Sequence, residues 1–326
     1  MHFYKLPVAL LCLFISTSCS SLFANYEIRS KVISGVRYVY LIDVKEYYGM
    51  KSKVNGKVVS LYSADHSLTL TKDSRYAKVD GKVLDLGYVM LLRNNDYFIA
   101  EKDLRLSIDP VYRDWGLARR AVNTIVIDPG HGGKDPGSHG LKVYEKDMNL
   151  EIALQLKELL VKVGYSVALT RNNDKFIKLA NRPTMYNADL FISVHTNAST
   201  AKSVNGIETY FLTPPGMKST GHKRTYYTRQ SGNKFDGLNT RLAHSIHSEL
   251  IDNMSARDRG IKRARFQVLR EAKCPAVLLE LGYLSNPSEE KRLLGVRYRE
   301  ELVISIVRGI VAFEKAVAAD ELLATE

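Results

Sequence analysis

Cysteine is scarce in this sequence: the 326 residues include three, Cys12, Cys19 and Cys274. The first two lie in an apolar N-terminal stretch that is predicted to be a removable leader. Cys274 then has no partner within the chain, which excludes an intrachain disulfide framework. The protein must therefore be held together by a hydrophobic core, for which 45% hydrophobic and 25% charged residues are an ordinary globular composition.

A long apolar run is also missing at the N-terminus. The run from Leu6 to Ile15 is too short to span a bilayer and follows Lys5, as in a secretory signal peptide. Leu22-Phe23-Ala24 offers a cleavage site, so residues 1–24 are predicted to be a signal peptide. We expect an exported protein of the periplasm or cell envelope with no transmembrane span. An alternative keeps Cys19 as a lipid-anchored first residue, because small residues precede it.

The sequence has no basic stripe with interleaved aromatic residues, which is the pattern of a nucleic-acid surface, and its glycines lack the spacing of a P-loop. Its formal net charge is nevertheless +12, or +11 once Lys5 leaves with the leader. For an exported protein this charge favours anionic wall polymers and membrane surfaces over nucleic acid. A basic surface that only faces solvent is an equally good interpretation.

Residues 25–115 are rich in tyrosine and in short alternating runs, which predicts a small β-rich N-terminal domain. Two similar stretches, Lys53–Val58 and Lys78–Val83, carry Asn-Gly and Asp-Gly, the preferred two-residue turns of β-hairpins. The region faintly resembles the N-terminal domain of copper amine oxidases. It implies no copper, since His66 is its only histidine. Both a structural cap and a module that binds the wall or a partner fit this region.

From residue 116 strands alternate with helices, which predicts an α/β domain over 116–318, followed by a frayed tail at 319–326. Strands are predicted at Thr124–Ile127, Tyr165–Thr170, Asp189–His195 and Pro275–Leu281. Helices are predicted at Asp147–Val163, at Leu238–Met254, just after Asn286 and at Arg299–Lys315. Residues 212–237 are rich in Pro, Gly, Lys and Tyr without a sustained period, and are predicted to be a long loop.

Four chemically active side chains stand at the ends of these elements or inside them. The strand Thr124–Ile127 stops in Asp-Pro-Gly-His-Gly-Gly with His131 at the tip of a tight loop, which by itself fits a plain turn equally well. His195 ends another strand and Glu145 begins a helix, so a parallel sheet would bring all three to one edge, where imidazole and carboxylate suit catalytic zinc. Glu280 lies inside an apolar strand, where an unpaired charge is costly. Beside a zinc-activated water it would act as general base.

The chain from about Asn123 to Lys315 resembles the zinc-dependent N-acetylmuramoyl-L-alanine amidases of bacterial walls. The matching stretches are I-D-P-G-H-G-G from Ile127, E-K-D-M-N-L from Glu145, F-I-S-V-H-T-N-A from Phe191, G-I-E-T-Y-F from Gly206, R-G-I-K-R-A-R-F-Q-V-L-R from Arg259 and P-A-V-L-L-E-L-G-Y-L-S-N-P from Pro275. The resemblance implies a twisted, mostly parallel α/β sheet flanked by helices. It also implies one zinc ion on His131, Glu145 and His195, with Glu280 as the catalytic residue.

The same resemblance implies hydrolysis of the amide between N-acetylmuramic acid and L-alanine in peptidoglycan, in wall remodelling or daughter-cell separation. Whether an activator protein opens the site stays open. Some members insert a helix whose glutamate plugs the site, but residues 212–237 occupy that place without a glutamate. The alternatives are a zinc peptidase acting on other wall peptides and a non-catalytic wall-binding protein on an amidase fold. The intact set of four residues weighs against the last.

Further polar residues are weaker candidates for the site. Arg182, Asn197, Lys262 and Arg263 are predicted substrate contacts, although a surface salt bridge would account for Arg182 equally well. His244 and His247 stand three apart on a predicted helix but lack the HExxH spacing of a metal site. We interpret these two histidines as a polar helix face.

Overall fold

The computed structural model describes residues 28–113 and 120–318. They form a four-stranded sheet and an eleven-stranded sheet. The predicted signal peptide, Cys19 and the tail at 319–326 lie outside the described residues. Among the described helices, none is long and apolar enough to cross a membrane.

The secondary structure of the N-terminal region consists mainly of short strands. These are β1 (Ser30–Ile33), β2 (Val36–Tyr40), β3 (Lys51–Asn55), β4 (Val58–Tyr62), β5 (Ser67–Thr71), β6 (Tyr76–Val79), β7 (Lys82–Asp85), β8 (Leu91–Arg93) and β9 (Asp96–Ala100). The helices are α1 (Leu41–Tyr47), α2 (Glu101–Asp103) and α3 (Asp109–Tyr112), with a π-helical turn at Leu104–Ile108.

From residue 120 onward, strands and helices alternate. The strands are β10 (Thr124–Pro129), β11 (Ser166–Leu169), β12 (Leu190–Asn197), β13 (Ile207–Leu212), β14 (Asp258–Ala264) and β15 (Ala276–Tyr283). The helices are α4 (Glu145–Val163), α5 (Asp236–Asn253), α6 (Gln267–Glu271), α7 (Pro287–Leu294) and α8 (Val296–Val317), and short 3-10 helices lie at Arg182–Thr184 and Ser231–Phe235.

The sheet that carries the candidate site residues is mostly parallel. In the order β11-β10-β12-β15-β13-β14, every neighbouring pair is parallel except β13 with β15. Helix α8 packs against α4 and α5. A Cβ at Gly309 would lie 2.4 Å from Ile246 Cα, so glycine lets the backbones of α8 and α5 approach closely. The predicted mostly parallel α/β sheet flanked by helices is confirmed.

The strands and helices predicted after residue 116 are confirmed, with ends that shift by a few residues. At the start of α7 the Asn286 side chain accepts hydrogen bonds from the backbone amides of Ser288 and Glu289, at 2.9 and 3.3 Å. The loop predicted at 212–237 is confirmed for residues 213–230, which contain no helix, but it ends earlier than predicted, because a 3-10 helix occupies Ser231–Phe235 and α5 begins at Asp236. Strands β13 and β14 and the short helix α6 were not predicted. In β14, arginine and lysine interrupt the apolar pattern.

The β-rich character of the N-terminal region is confirmed, with two corrections. Residues 41–47 and 101–112 are helical, although alternation had suggested strand, because burial of one helix face decides the local structure. Of the two predicted turns, Asp80-Gly81 forms the second, with φ of +49° and +79°. In the first hairpin Asn55 already pairs with Val58, so Gly56-Lys57 makes the turn.

The N-terminal strands extend the large sheet. Strand β7 pairs in parallel with β14 through Leu84 and Ile261. Beyond β7 the sheet continues antiparallel in the order β6-β5-β4-β3. Strands β1, β2, β9 and β8 form the smaller sheet. The division into domains at residue 115 stays a prediction, but the two regions share one sheet.

Buried polar contacts also join the two regions. The Arg263 guanidinium and the Asp103 carboxylate are both fully buried and lie 3.6 Å apart. Asp103 also accepts hydrogen bonds from the backbone amides of Gly87 and Tyr88 at 2.6 and 2.9 Å. Burial raises the pKa of Asp103 and lowers that of Arg263, while each charge offsets the desolvation of the other.

Replacing Asp103 with alanine should therefore destabilise the fold strongly, because the Arg263 charge would stay buried without its carboxylate. We expect the free energy of unfolding to fall by about 3–5 kcal/mol, measured by denaturant unfolding. The exposed Asp96 of the same region offers a control. Its replacement by alanine should change stability by no more than about 0.5 kcal/mol, and equal effects of the two substitutions would contradict this account.

Candidate active site

The loop after β10 holds His131 in a conformation that its neighbours dictate. His131 has a φ of +63°, in the left-handed region that non-glycine residues seldom adopt. A Cβ at Gly130 would lie 2.2 Å from His195 Cε1, so only glycine lets the loop pass so close to the second histidine. The proline and glycines that stop the strand thus also bring the two imidazoles together, with ring centroids 5.1 Å apart.

Two buried arginines, Arg171 and Arg182, form hydrogen bonds with this loop. Arg182 Nη1 donates to Asp128 Oδ1 at 3.0 Å and Arg182 Nη2 donates to the His131 carbonyl at 2.8 Å. Arg171 donates to the carbonyls of Pro129 and Gly130 at 3.0 and 2.9 Å. Because loop carbonyls bind fixed guanidinium groups, the His131 backbone is held rigidly.

His131, Glu145 and His195 offer one ligand atom each, and these atoms all lie within 4.8 Å of one another. Glu145 Oε1 is 3.2 Å from His131 Nε2 and 2.9 Å from His195 Nδ1. The Ser138 backbone amide donates to Glu145 Oε2 at 2.8 Å. Burial acts to raise the pKa of Glu145, but its hydrogen bonds with the two histidines outweigh burial and hold the pKa well below its ordinary value. The group therefore offers an ionised carboxylate and two imidazoles, and both kinds of side chain bind divalent metals.

Glu280 lies beside this group on the neighbouring strand. It pairs in register with His195 across β15 and β12. Glu280 Oε2 is buried and finds no hydrogen-bond partner among the described residues. Burial, followed by the Glu145 and Glu208 carboxylates, raises the pKa of Glu280 well above its ordinary value. A buried carboxyl group whose protonated form is favoured in this way suits general acid-base chemistry.

Glu208 on β13 is a second buried carboxylate at this site, and sequence reasoning did not single it out. It pairs in register with Glu280. Its Oε1 accepts hydrogen bonds from Lys262, Arg259 and Tyr283 at 2.6, 2.9 and 2.6 Å. Burial acts to raise the pKa of Glu208, but its hydrogen bonds with Lys262, Tyr283 and Tyr210 lower it to about 2. A glutamate inside the apolar G-I-E-T-Y-F stretch is the same signal that identified Glu280, and it would have found Glu208.

Replacing Glu208 with glutamine should cost stability in a pH-dependent way. Its pKa falls from 4.5 to about 2 on folding, so its ionised form stabilises the fold by about 3 kcal/mol at neutral pH. This contribution is fully present above about pH 4.5 and is lost as the pH falls towards 2. Denaturant unfolding should show a larger difference between wild type and variant at pH 7 than at pH 3. A difference of the same size at both pH values would show that the charge of Glu208 is not what stabilises the fold.

The four predicted residues line one open cleft of about 450 Å³. His131, Glu145, His195 and Glu280 all contribute to its walls, and Leu179 and Phe266 add apolar surface.

The four predicted substrate contacts have different surroundings. Asn197 lines the cleft. Arg182 also borders it, but is 1% exposed and binds the loop carbonyls rather than making a surface salt bridge. Lys262 binds Glu208 next to Glu280, whereas the structure does not bring Arg263 to the cleft, because its guanidinium is fully buried beside Asp103. Substrate contact by Arg182, Asn197 and Lys262 stays a prediction.

The other histidines in the described part of the chain lie outside the metal-ligand group. His244 and His247 are buried, so the polar-face interpretation of these two is wrong. His244 Nε2 lies 3.2 Å from the Val79 carbonyl and His247 Nε2 lies 3.0 Å from Asp258 Oδ1. Both histidines therefore stabilise the packing of α5 against the N-terminal strands and β14.

Known proteins resemble this chain over the region that carries the cleft. A family model described as N-acetylmuramoyl-L-alanine amidase matches residues 125–312. The N-acetylmuramoyl-L-alanine amidase LytC of Bacillus subtilis (strain 168) is 36% identical over 193 residues, which are 58% of this chain and 35% of LytC. The probable cell wall amidase LytH of Staphylococcus epidermidis (strain ATCC 35984) is 35% identical over 190 residues, which are 57% of each chain.

A solved structure extends the likeness to the fold. An N-acetylmuramoyl-L-alanine amidase from Clostridium difficile 630 is 33% identical, with a TM-score of 0.51 and coverage of 60% of this chain and 98% of its own. The matched part of this chain thus spans about a third of LytC and just over half of LytH.

Proposed function

The chain belongs to the N-acetylmuramoyl-L-alanine amidase family, and we propose that it is a zinc-dependent enzyme that hydrolyses the amide between N-acetylmuramic acid and L-alanine in peptidoglycan. The observation that carries this proposal is the convergence of three metal-ligand side chains and one unpartnered, raised-pKa glutamate in a single cleft.

The side chains fit zinc. His131, Glu145 and His195 supply two nitrogens and one oxygen, and three protein ligands leave a position free for chemistry. Zinc bound there would polarise the amide carbonyl and make a water molecule a nucleophile near neutral pH. The Ser138 amide on Glu145 Oε2 and the arginine-supported loop under His131 fix the orientation of these ligands.

Glu280 moves the proton in the proposed reaction. Its carboxylate takes a proton from the attacking water and then gives it to the amide nitrogen, which leaves as the amino group of L-alanine. Without hydrogen bonds that would favour its ionised form, Oε2 holds the proton readily between these two steps. Glu208, hydrogen-bonded to Lys262, keeps a second negative charge next to Glu280 and contributes to its raised pKa.

The proposal also covers the location of the enzyme and its role in the cell. We place the enzyme outside the cytoplasm, in the periplasm or cell envelope, in wall remodelling or daughter-cell separation. Signal cleavage after residue 24 and lipid attachment at Cys19 stay alternative predictions. Action of an activator protein also stays a prediction.

The products released from purified peptidoglycan by the zinc-loaded protein test the proposal. Mass analysis should find free stem peptides that begin with L-alanine, together with glycan that keeps its lactyl groups. Shortened stem peptides still attached to glycan would instead indicate a wall peptidase, and no products at all would indicate a wall-binding protein. A parallel digest with Glu280→Gln controls for contaminating hydrolases.

A further inference from the structure

A second groove adjoins the catalytic cleft and is basic. It has a volume of about 510 Å³ and is lined by residues of the 213–230 loop on one side and by Arg265, Phe266 and Arg270 on the other. Phe266 borders both the groove and the catalytic cleft. A substrate bound across the cleft can therefore continue into the groove without leaving the protein surface.

Two guanidinium groups on the wall of this groove lack acidic partners among the described residues. Arg265 Nη1 and Arg270 Nε are buried nitrogen atoms without a hydrogen-bond partner in the described part of the chain. Arg265 makes one long contact, from Nη2 to the Thr228 carbonyl at 3.4 Å. Unsatisfied donors are costly, so both guanidinium groups on the wall of the groove keep unused hydrogen-bonding capacity.

The loop over the groove strengthens its positive charge. Between residues 212 and 237 the sequence has Lys218, Lys223, Arg224, Arg229 and Lys234, whereas Asp236 is its one acidic residue. The guanidinium carbons of Arg224 and Arg265 both lie over the Tyr226 ring, 4.8 and 5.0 Å from its centroid. Tyr226 thus holds two cations near the groove, and a bound anion would relieve the repulsion between them.

A line of contacts connects the groove to Glu208, which lies next to Glu280. The Tyr210 hydroxyl donates to Glu208 Oε2 at 2.7 Å, and the rings of Tyr210 and Phe266 are 5.3 Å apart. Arg265 follows β14 directly and Arg270 lies on α6, which begins one residue after Phe266. The positions of the two guanidiniums relative to the cleft are therefore set by regular structure rather than by the loop.

We propose that Arg265 and Arg270 form a subsite that binds the free carboxylates of the stem peptide, on the side of the scissile amide that leaves with L-alanine. This inference rests on the proposed function. The amide joins a glycan of uncharged N-acetylated sugars to a peptide that bears free carboxylates, so an anion-binding groove next to the cleft fits the peptide side. Guanidinium groups bind carboxylates through paired N–H donors, which fixes the peptide direction as well as adding affinity.

The test combines substitutions in the protein with a change in the substrate. Wild type, Arg265→Gln, Arg270→Gln and the double variant are compared on a soluble muropeptide with free carboxylates and on the same muropeptide with those carboxylates amidated. On the free acid, each single substitution should raise KM about tenfold with kcat nearly unchanged. On the amidated substrate the variants should match wild type. Arg297→Gln, whose side chain is 91% exposed on α8, is the control of equal charge change.

Direct binding separates failure of this subsite from failure of the proposed function. Calorimetry with the free stem peptide should show about tenfold weaker binding to each variant than to wild type, whether or not the protein cleaves peptidoglycan. Equal losses on both muropeptides would overturn the subsite and indicate that the arginines only stabilise the fold. Unchanged stem-peptide binding would also overturn it. Weaker binding of a poly(glycerol phosphate) alone would assign the groove to a phosphate polymer instead.

Discussion

Replacing Glu280 with glutamine should lower kcat by at least about a hundredfold while the zinc content of the protein stays the same. Glutamine keeps the shape of the side chain but cannot accept and return a proton. Glu280 lies on β15 next to His195 without being one of the three clustered ligands, so its amide form should leave the metal in place. Activity on a soluble muropeptide and metal analysis of the same sample measure the two effects.

Glu158→Gln offers a matched control, because Glu158 is an exposed glutamate of α4 that pairs with Lys162. This variant should retain wild-type kcat. If Glu280→Gln instead loses its metal, Glu280 is a ligand and the proton-transfer role assigned to it is wrong.

Alanine at His131, Glu145 or His195 should abolish activity through loss of the metal. Each substitution removes one of three protein ligands, so zinc affinity should fall by more than the roughly 10- to 100-fold caused by removing a supporting group. Zinc titration of the purified variants measures this directly. Exhaustive chelation of the wild type should likewise abolish turnover, and added zinc should restore it.

His139→Ala is the control for these substitutions. His139 lies in the same connection between β10 and α4, but it is exposed and packs against Tyr144, with ring centroids 4.6 Å apart. Its removal should leave zinc content and activity unchanged. Full activity of the wild type after chelation would contradict the metal-dependent mechanism.

The parts of the site that follow from local sequence could be predicted. Motif order predicted the family, and this prediction is confirmed by the family model that matches residues 125–312. His131 and His195 stand at strand ends, and parallel strands bring such ends to one edge of a sheet, so their convergence followed from the strand pattern. Glu280 was recognisable because a charged side chain inside an apolar strand is costly unless it is paired or takes part in chemistry.

The parts that depend on distant contacts could not be predicted. Arg263 lies in a motif that matches the family, but its burial is decided by Asp103, which is distant in sequence. The same holds for His244, whose partner is a carbonyl of a far strand. Helical spacing shows which residues share a face, but it does not show what packs against that face.

The joining of β7 to β14 has a consequence for how the chain folds. Leu84 and Ile261 are separated by more than half of the chain, so this contact closes a very long loop and we expect it to form late. The hairpins from β3 to β7 need only local contacts and can form while the rest of the chain is still unfolded. Until β14 arrives, the free edge of β7 is open to pairing with any other extended strand. We therefore expect aggregation during folding to increase with the time for which the edge of β7 stays unpaired.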